Sequence, residues 1–210
     1  MTLINTNGMA FIGPGSEWFW TAISGLVLAV TFIAIWRQLQ IQRSATTFQQ
    51  AAELGRDWDS EAMLRSRLAV LEAMTVSLDP SKLPEYEAAQ IGLYWERVGN
   101  MVAEGHVDPE QVESGVCRLW WARLRPFAEM GRDRFHDAEI FIHWERLESR
   151  FAREDVKAHR ADVYDAAHLA AILPSSVASV ARGVRQAELL RATIARPEGS
   201  PTSSLGEGIA

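Results

Sequence analysis

The sequence predicts an all-α protein: a single N-terminal transmembrane helix that continues into a helical stalk, followed by a cytoplasmic bundle of four or five helices. Three observations predict this class. The run from Trp18 to Trp36 contains no charged residue. Beyond it, apolar residues recur at spacings of three and four, which is the period of one helix face. No stretch alternates apolar and polar residues as a half-buried strand does.

The apolar run over residues 17–36 has the length and the flanks of a membrane span. A bilayer core about 30 Å thick needs roughly 20 apolar residues in helical form. Trp18, Trp20 and Trp36 stand at the ends of the run, where aromatic rings favour the membrane interfaces. A buried helix is disfavoured because little else in the chain is apolar enough to surround it. A cleaved signal peptide is disfavoured because no basic residue precedes the run and no small-residue cleavage site follows it.

The distribution of basic residues predicts the orientation of this span. No Lys or Arg occurs before Trp36, whereas Arg37, Arg43 and Arg56 follow it. The positive-inside rule then places residues 1–16 outside and the C-terminal domain in the cytoplasm. The single cysteine agrees with a reducing compartment, because one thiol cannot form an intramolecular disulfide.

The stalk is predicted over residues 37–55, with an apolar stripe at helical spacing: Ile41, Ala45, Phe48 and Ala52. Within the span, Gly25 and Ala29 form a small-residue pair that lets two helix backbones approach closely. Together these features predict a possible homodimer through the transmembrane helix and the stalk. The alternative is that small residues are simply common in membrane spans and that the stalk packs on its own domain.

The helical bundle is predicted over residues 56–172. Asp57 or Asp59 is expected to cap its first helix, and Asp108 is expected to open a later one. Each of three tryptophans lies on the apolar stripe of its helix and is expected in one core: Trp95, Trp120 and Trp144.

Two prolines are expected to interrupt helices in the second half of the chain. Pro126 should kink or end its helix, and Pro174 should end another. Residues 173–210 are then expected to hold one weak helix and a disordered tail, because Pro, Gly, Ser and Thr dominate the end of the chain.

Charge argues against a nucleic-acid partner. The formal net charge is -6, and 19 of the 21 basic residues are Arg, scattered among Asp and Glu. The segment around Trp120-Trp121, with Arg118, Arg123 and Arg125, resembles an aromatic and basic nucleic-acid surface. Core packing with cation–π contacts at the rim explains the same residues.

His136-Asp137 is the sharpest catalytic candidate. All-helical phosphohydrolases of the HD type hold a metal with such a pair, an upstream His and a later Asp, here His106 and Asp162 or Asp165. The dipeptide arises readily by chance. Glu139 and His143 share a helix face, but the recognised zinc motif is absent. The expectation is therefore that the chain has no catalytic residue, no metal site and no cofactor.

Three segments resemble a known family in combination: Tyr94-Trp95-Glu96-Arg97-Val98-Gly99, Gly105-His106-Val107-Asp108, and Trp120-Trp121 with Arg125-Pro126-Phe127. They are similar to a bacterial family of membrane-anchored helical proteins known only as a domain of unknown function, over about residues 17–150. The resemblance implies one N-terminal span and an all-helical cytoplasmic domain, and it implies no catalytic residue.

The sequence thus favours a membrane-anchored interaction or regulatory module, whose partners are the lipid bilayer and a protein not identified by the sequence. A membrane-tethered HD-type metal phosphohydrolase is the alternative from another class. A ligand-sensing membrane effector is the third hypothesis.

Overall fold

The computed structural model describes residues 17–160 and 164–194. Over these residues the chain is helical and contains no strand, so the all-α class is confirmed. The α-helices are α1 Glu17–Trp58, α2 Glu61–Val76, α3 Glu85–Ala103, α4 Ser114–Phe135, α5 Ile142–Lys157 and α6 Ala166–Ile194. Short 3-10 turns occupy Pro80–Lys82 and Pro109–Gln111. Two compact units divide between Gln49 and Gln50, inside α1.

In the first unit, α1 is an apolar helix whose side chains are mostly exposed. Its segment Glu17–Leu39 is long and apolar enough to cross a membrane, and none of its apolar window is buried in the chain. All five residues singled out for the span lie on it and are exposed: Trp18, Trp20, Gly25, Ala29 and Trp36.

The second unit begins within the predicted stalk. Leu54 is buried and Ala51 packs against the core, whereas Phe48 and Ala52 are exposed. The last turns of α1 belong to the bundle and pack on it through Ala51 and Leu54. This face is offset from the predicted stripe, which includes Ala52. The side chains of Ile41 and Ala45 lie outside the described residues.

Capping at the start of α2 and α4 differs from the expectation. Ser60 caps α2, where its hydroxyl accepts the N–H of Met63 at 3.3 Å. Asp57 and Asp59 instead face Arg97 and Arg67. Asp108 caps only the 3-10 turn Pro109–Gln111, and α4 begins afterwards at Ser114.

The start of α5 packs on one face of α3, formed by Gly92, Glu96 and Gly99. The Glu96 carboxylate accepts the backbone N–H groups of His143 at 3.1 Å and Trp144 at 2.9 Å, which satisfies donors at the start of α5. A Cβ at Gly99 would overlap the backbone of His143. The segment from Tyr94 to Gly99 therefore has a structural role, because its Glu96 and Gly99 dock α5 on α3.

The loop between α4 and α5 holds a strained aromatic residue. Phe141 has a φ of 58°, a conformation that bulky residues rarely adopt. Its ring is buried over Gly92, where no side chain competes for the space. Arg132 fixes the loop, because its guanidinium donates to the Ile140 carbonyl at 2.9 Å and to Glu145 at 2.8 Å.

The last described helix departs most from the expectation. α6 runs through Pro174, so the predicted boundary at residue 172 falls inside a helix. It packs along α2, where a Cβ at Gly183 would lie 3.1 Å from Leu64. Packing on α2 outweighs the hydrogen bond that the proline cannot make. Pro126 likewise lies inside α4, which does not end there. Residues 195–210, which include the disordered tail expected from Pro197 onward, lie outside the described residues.

Candidate functional site

The aromatic core of the second unit is centred on Trp58, the last residue of α1. Its ring lies 4.8 Å from Tyr94, 5.2 Å from Trp95 and 6.0 Å from Trp120. Tyr94 donates its hydroxyl to the Leu54 carbonyl at 3.1 Å. Burial raises the pKa of Tyr94 to about 12, so this hydroxyl remains a neutral donor at physiological pH.

These four rings contribute to the wall of a cavity of about 500 Å³. The cavity is open to solvent on one side and is lined by the end of α1 together with α2, α3, α4 and α6. Ser176 and Ser179 of α6 form part of the wall that faces α4. All of the lining residues belong to the second unit.

Arg67 of α2 lies in this wall with only 8% of its surface exposed. Its guanidinium carbon is 4.2 Å from the centre of the Trp58 ring, a cation–π distance. Its ion pair is with Asp59, which is 77% exposed and 3.7 Å away. Burial lowers the pKa of Arg67, and its Nε has no hydrogen-bond partner among the described residues. The positive charge is therefore only weakly neutralised.

Arg123 of α4 is the second cation of the wall and is 9% exposed. Its Nη2 donates to the Ser176 hydroxyl at 2.9 Å, and its guanidinium carbon lies 5.7 Å from the Trp120 ring. It has no ion pair with any described residue. Burial lowers its pKa to about 10, so Arg123 is still charged at physiological pH.

The acidic residues that line the cavity are at its exposed edge. Asp59 and Glu113 both lie in the wall, and both are exposed to solvent. Since water screens exposed charges, the two carboxylates neutralise the buried guanidinium groups poorly. The arrangement can therefore hold a flat group against the rings and an anionic group against the arginines.

The tryptophans expected in the core are buried: Trp95, Trp120 and Trp144 are 3%, 4% and 0% exposed. Trp95 stacks on Trp144 with the ring centres 6.1 Å apart. Trp120 is linked to them through Trp58.

The residues that resemble a nucleic-acid surface do not form one exposed face, because Trp120, Trp121, Arg118 and Arg123 are buried. Arg118 is 6% exposed and pairs with Glu148 and Asp155, whereas Arg125 is exposed and pairs with Glu129.

Burial raises the pKa of the Cys117 thiol to about 12, so this thiol stays protonated at physiological pH.

The residues of the metal hypothesis have local structural contacts instead. His136 ends α4 with a φ of 53°, and Asp137 accepts the N–H of Glu139 at 2.8 Å. His106 pairs with Glu104, and Asp165 accepts the N–H of His168. Over residues 17–160 and 164–194, no group of three or more His, Cys, Asp or Glu is placed to hold a metal ion. Asp162 lies outside the described residues.

The sequence reasoning missed Trp58, Arg67 and Ser176. Trp58 follows Ala51 and Leu54 at spacings of three and four, a signal that continues the helical face past the predicted stalk. No comparable signal marks Arg67, because arginine is rarely buried and its position on α2 gives no sign of it.

No family model, no curated protein and no solved structure matches this chain.

Proposed function

We propose that this chain is a membrane-anchored helical module, in which α1 crosses the bilayer once and the bundle acts as an interaction or regulatory domain. The observation that carries the proposal is the segment Glu17–Leu39, which is long, apolar and without a buried residue in its apolar window. Such a helix exposes its apolar side chains to water unless a bilayer or another protein covers them.

Two polar side chains within this segment are already satisfied. The hydroxyl of Thr21 donates to the Glu17 carbonyl at 2.8 Å, and that of Thr31 donates to the Val27 carbonyl at 2.7 Å. Since lipid offers no hydrogen-bond partner, a spanning helix must satisfy its polar groups internally. These contacts support the bilayer as the surrounding medium.

The proposed topology has the N-terminus outside and the bundle in the cytoplasm of a bacterium, at the inner membrane. Arg37, Arg43 and Arg56 follow the apolar segment and no basic residue precedes it. α6 also passes the length and composition test for a span. We assign it to the bundle because it packs along α2 and its Arg191 pairs with Glu61.

A pair of reporter fusions tests the anchor and its orientation. A reporter that is active only in the cytoplasm should be active when fused after Ala210 and inactive when fused before Met1. Carbonate-washed membranes should retain the chain. A chain that carbonate releases would refute the anchor, and a C-terminal reporter active only in the periplasm would refute the orientation.

The aromatic cavity favours the ligand-sensing effector as a second candidate function. Two weakly neutralised arginines in an aromatic-walled space offer a place for a small molecule, and the end of α1 meets α2, α3, α4 and α6 there. Occupancy would then change how the end of α1 and the middle of α6 pack on α2 and α4. Protection of α6 amides from hydrogen exchange is the measurement that detects such a change.

Self-association through α1 is part of the proposal. A Cβ at Gly25 would meet nothing within 4 Å, so this face is open to a second helix. In a membrane two-hybrid assay, Gly25→Ile should remove the association signal of the wild-type span, and Ile33→Leu, which conserves volume, should keep it. An unchanged signal in Gly25→Ile would refute this contact.

A further inference from the structure

We propose that the cavity between α2, α4 and α6 binds a small molecule with a flat unsaturated body and one anionic group, a carboxylate or a phosphate. This inference goes beyond the membrane anchor and does not depend on it. It names the ligand class that the wall of the cavity fits.

The size of the cavity suits a small molecule. Its volume of about 500 Å³ lies within the range of roughly 300–1,000 Å³ that is typical of ligand pockets. Such pockets are mostly apolar and carry a few polar groups that fix the orientation of the ligand. Here the charged groups furthest from solvent are the guanidinium groups of Arg67 and Arg123, whose residues are 8% and 9% exposed.

The aromatic rings of the cavity wall favour a ligand with a flat body. Trp58, Tyr94 and Trp120 line the cavity, and the planes of Trp58 and Trp120 are nearly perpendicular, at 85°. The ring centres of Trp58 and Trp120 are 6.0 Å apart, so these two rings already contact each other edge to face and no ligand enters between them. A planar ligand would instead lie flat against the part of this aromatic wall that faces the cavity. An aliphatic chain would gain the apolar contact but not this geometry.

The arginines explain the anionic group. Arg67 has one ion pair, with an exposed carboxylate 3.7 Å away, and Arg123 has a hydroxyl and a ring as its described partners. Buried charges are normally paired, because the transfer of a charged group from water to the protein interior is unfavourable unless a counter-charge is present there. A carboxylate or phosphate would supply that counter-charge and accept paired N–H bonds from a guanidinium group.

The exposed carboxylates favour a ligand with one anionic group. Asp59 and Glu113 lie at the edge of the cavity, where no basic residue of the described wall is exposed to pair with a second anionic group that extends outward. The net charge of -6 acts in the same direction. Selection therefore rests on one anionic group that reaches the buried arginines.

Calorimetric titration of the full chain in mild non-ionic detergent tests the proposal, with blank titrations into empty micelles. The probes are naphthalene-1-carboxylate, its neutral analogue naphthalene-1-carboxamide, and decanoate. Naphthalene-1-carboxylate should bind at least tenfold more tightly than either of the others. Equal affinity for the carboxamide, or no binding of the carboxylate, would overturn the anionic site, and equal affinity for decanoate would overturn the flat body.

Matched variants locate the site. Arg123→Gln removes the charge but keeps a donor for Ser176, and it should weaken binding of the carboxylate at least tenfold. Arg125→Gln changes the net charge equally on an exposed residue of the same helix that lies outside the cavity wall, and it should bind like the wild type. Equal weakening in both variants would overturn the placement.

Two further measurements keep the test decisive. If circular dichroism shows that Arg123→Gln is unfolded, Arg67→Gln serves as the second variant with the same expected loss and the same control. Failure of the membrane anchor would appear in fractionation and would leave these affinities unchanged. The two proposals therefore fail separately.

Discussion

Two helices of this chain are long and apolar enough to cross a bilayer, and they differ in what surrounds them. The apolar window of α1 has no buried residue, whereas α6 lays one face along α2 and buries Val184. α6 also carries Arg182, Arg185, Glu188 and Arg191, while α1 is uncharged from Trp18 to Trp36. Length and mean hydropathy alone do not distinguish the two helices. Packing partners and ion pairs do.

Introducing arginines into each helix should reveal this difference, and the loss of membrane retention is the largest effect that we expect. Leu28→Arg with Phe32→Arg in α1 should release the chain from carbonate-washed membranes, because each arginine at the centre of a span costs about 2.5–3.5 kcal/mol. Ala171→Arg with Ala178→Arg, on the exposed face of α6, should leave the chain in the membrane. Release by the α6 pair would mean that α6 also contacts the bilayer.

Tryptophans in the two regions should differ almost as strongly. Trp144 is 0% exposed, and truncating a buried tryptophan to Ala costs about 3–5 kcal/mol. Trp144→Ala should therefore lower the thermal unfolding midpoint of the bundle by on the order of 10 °C. Trp20→Ala in α1 should leave this midpoint unchanged, because Trp20 lies outside the bundle. A midpoint that stays within 2 °C in Trp144→Ala would contradict the core.

The core residue Trp144 and the helix α6 show what the sequence can and cannot predict. Trp144 lies on a regular stripe with Ile140, Leu147 and Phe151, so local periodicity suffices to place it in the core. α6 was not predicted in full, since Pro174 is a local stop signal that packing on α2 overrides.

The candidate site was harder to predict than the fold. Trp58, Arg67 and Arg123 come from three separate helices, and α6 supplies Ser176 from a fourth. Periodicity places each residue on its own helix but does not tell which helices meet. The burial of two arginines therefore had no signal in the sequence.

Alanine substitutions at two glycines, Gly99 and Gly55, should differ by an intermediate amount in stability. They test how closely α5 packs on α3. A Cβ at Gly99 would overlap the backbone of His143, which has no room to move while Glu96 holds the start of α5. Gly99→Ala should destabilise the bundle by about 1–3 kcal/mol, as overpacking does.

Gly55→Ala is the control for this substitution, because a Cβ there meets nothing within 4 Å. It should be neutral or raise the stability by up to about 1 kcal/mol, since Ala favours a helix. Both variants are compared by thermal unfolding of the full chain in detergent. Equal stability of the two would contradict the close contact between α3 and α5.

The smallest effect should come from the ion pair that joins the C-terminal part of α6 to α2. Arg65 and Glu188 are 3.2 Å apart and both more than half exposed, so water and salt screen their attraction. Glu188→Gln should lower the free energy of unfolding by about 0.2–1 kcal/mol, and 1 M NaCl should abolish the difference. Amide hydrogen exchange near Leu189 and Ile194 measures the local effect. A loss above about 2 kcal/mol, or one that persists in salt, would mean that this charge pair rather than the apolar face around Val184 holds α6 on the bundle.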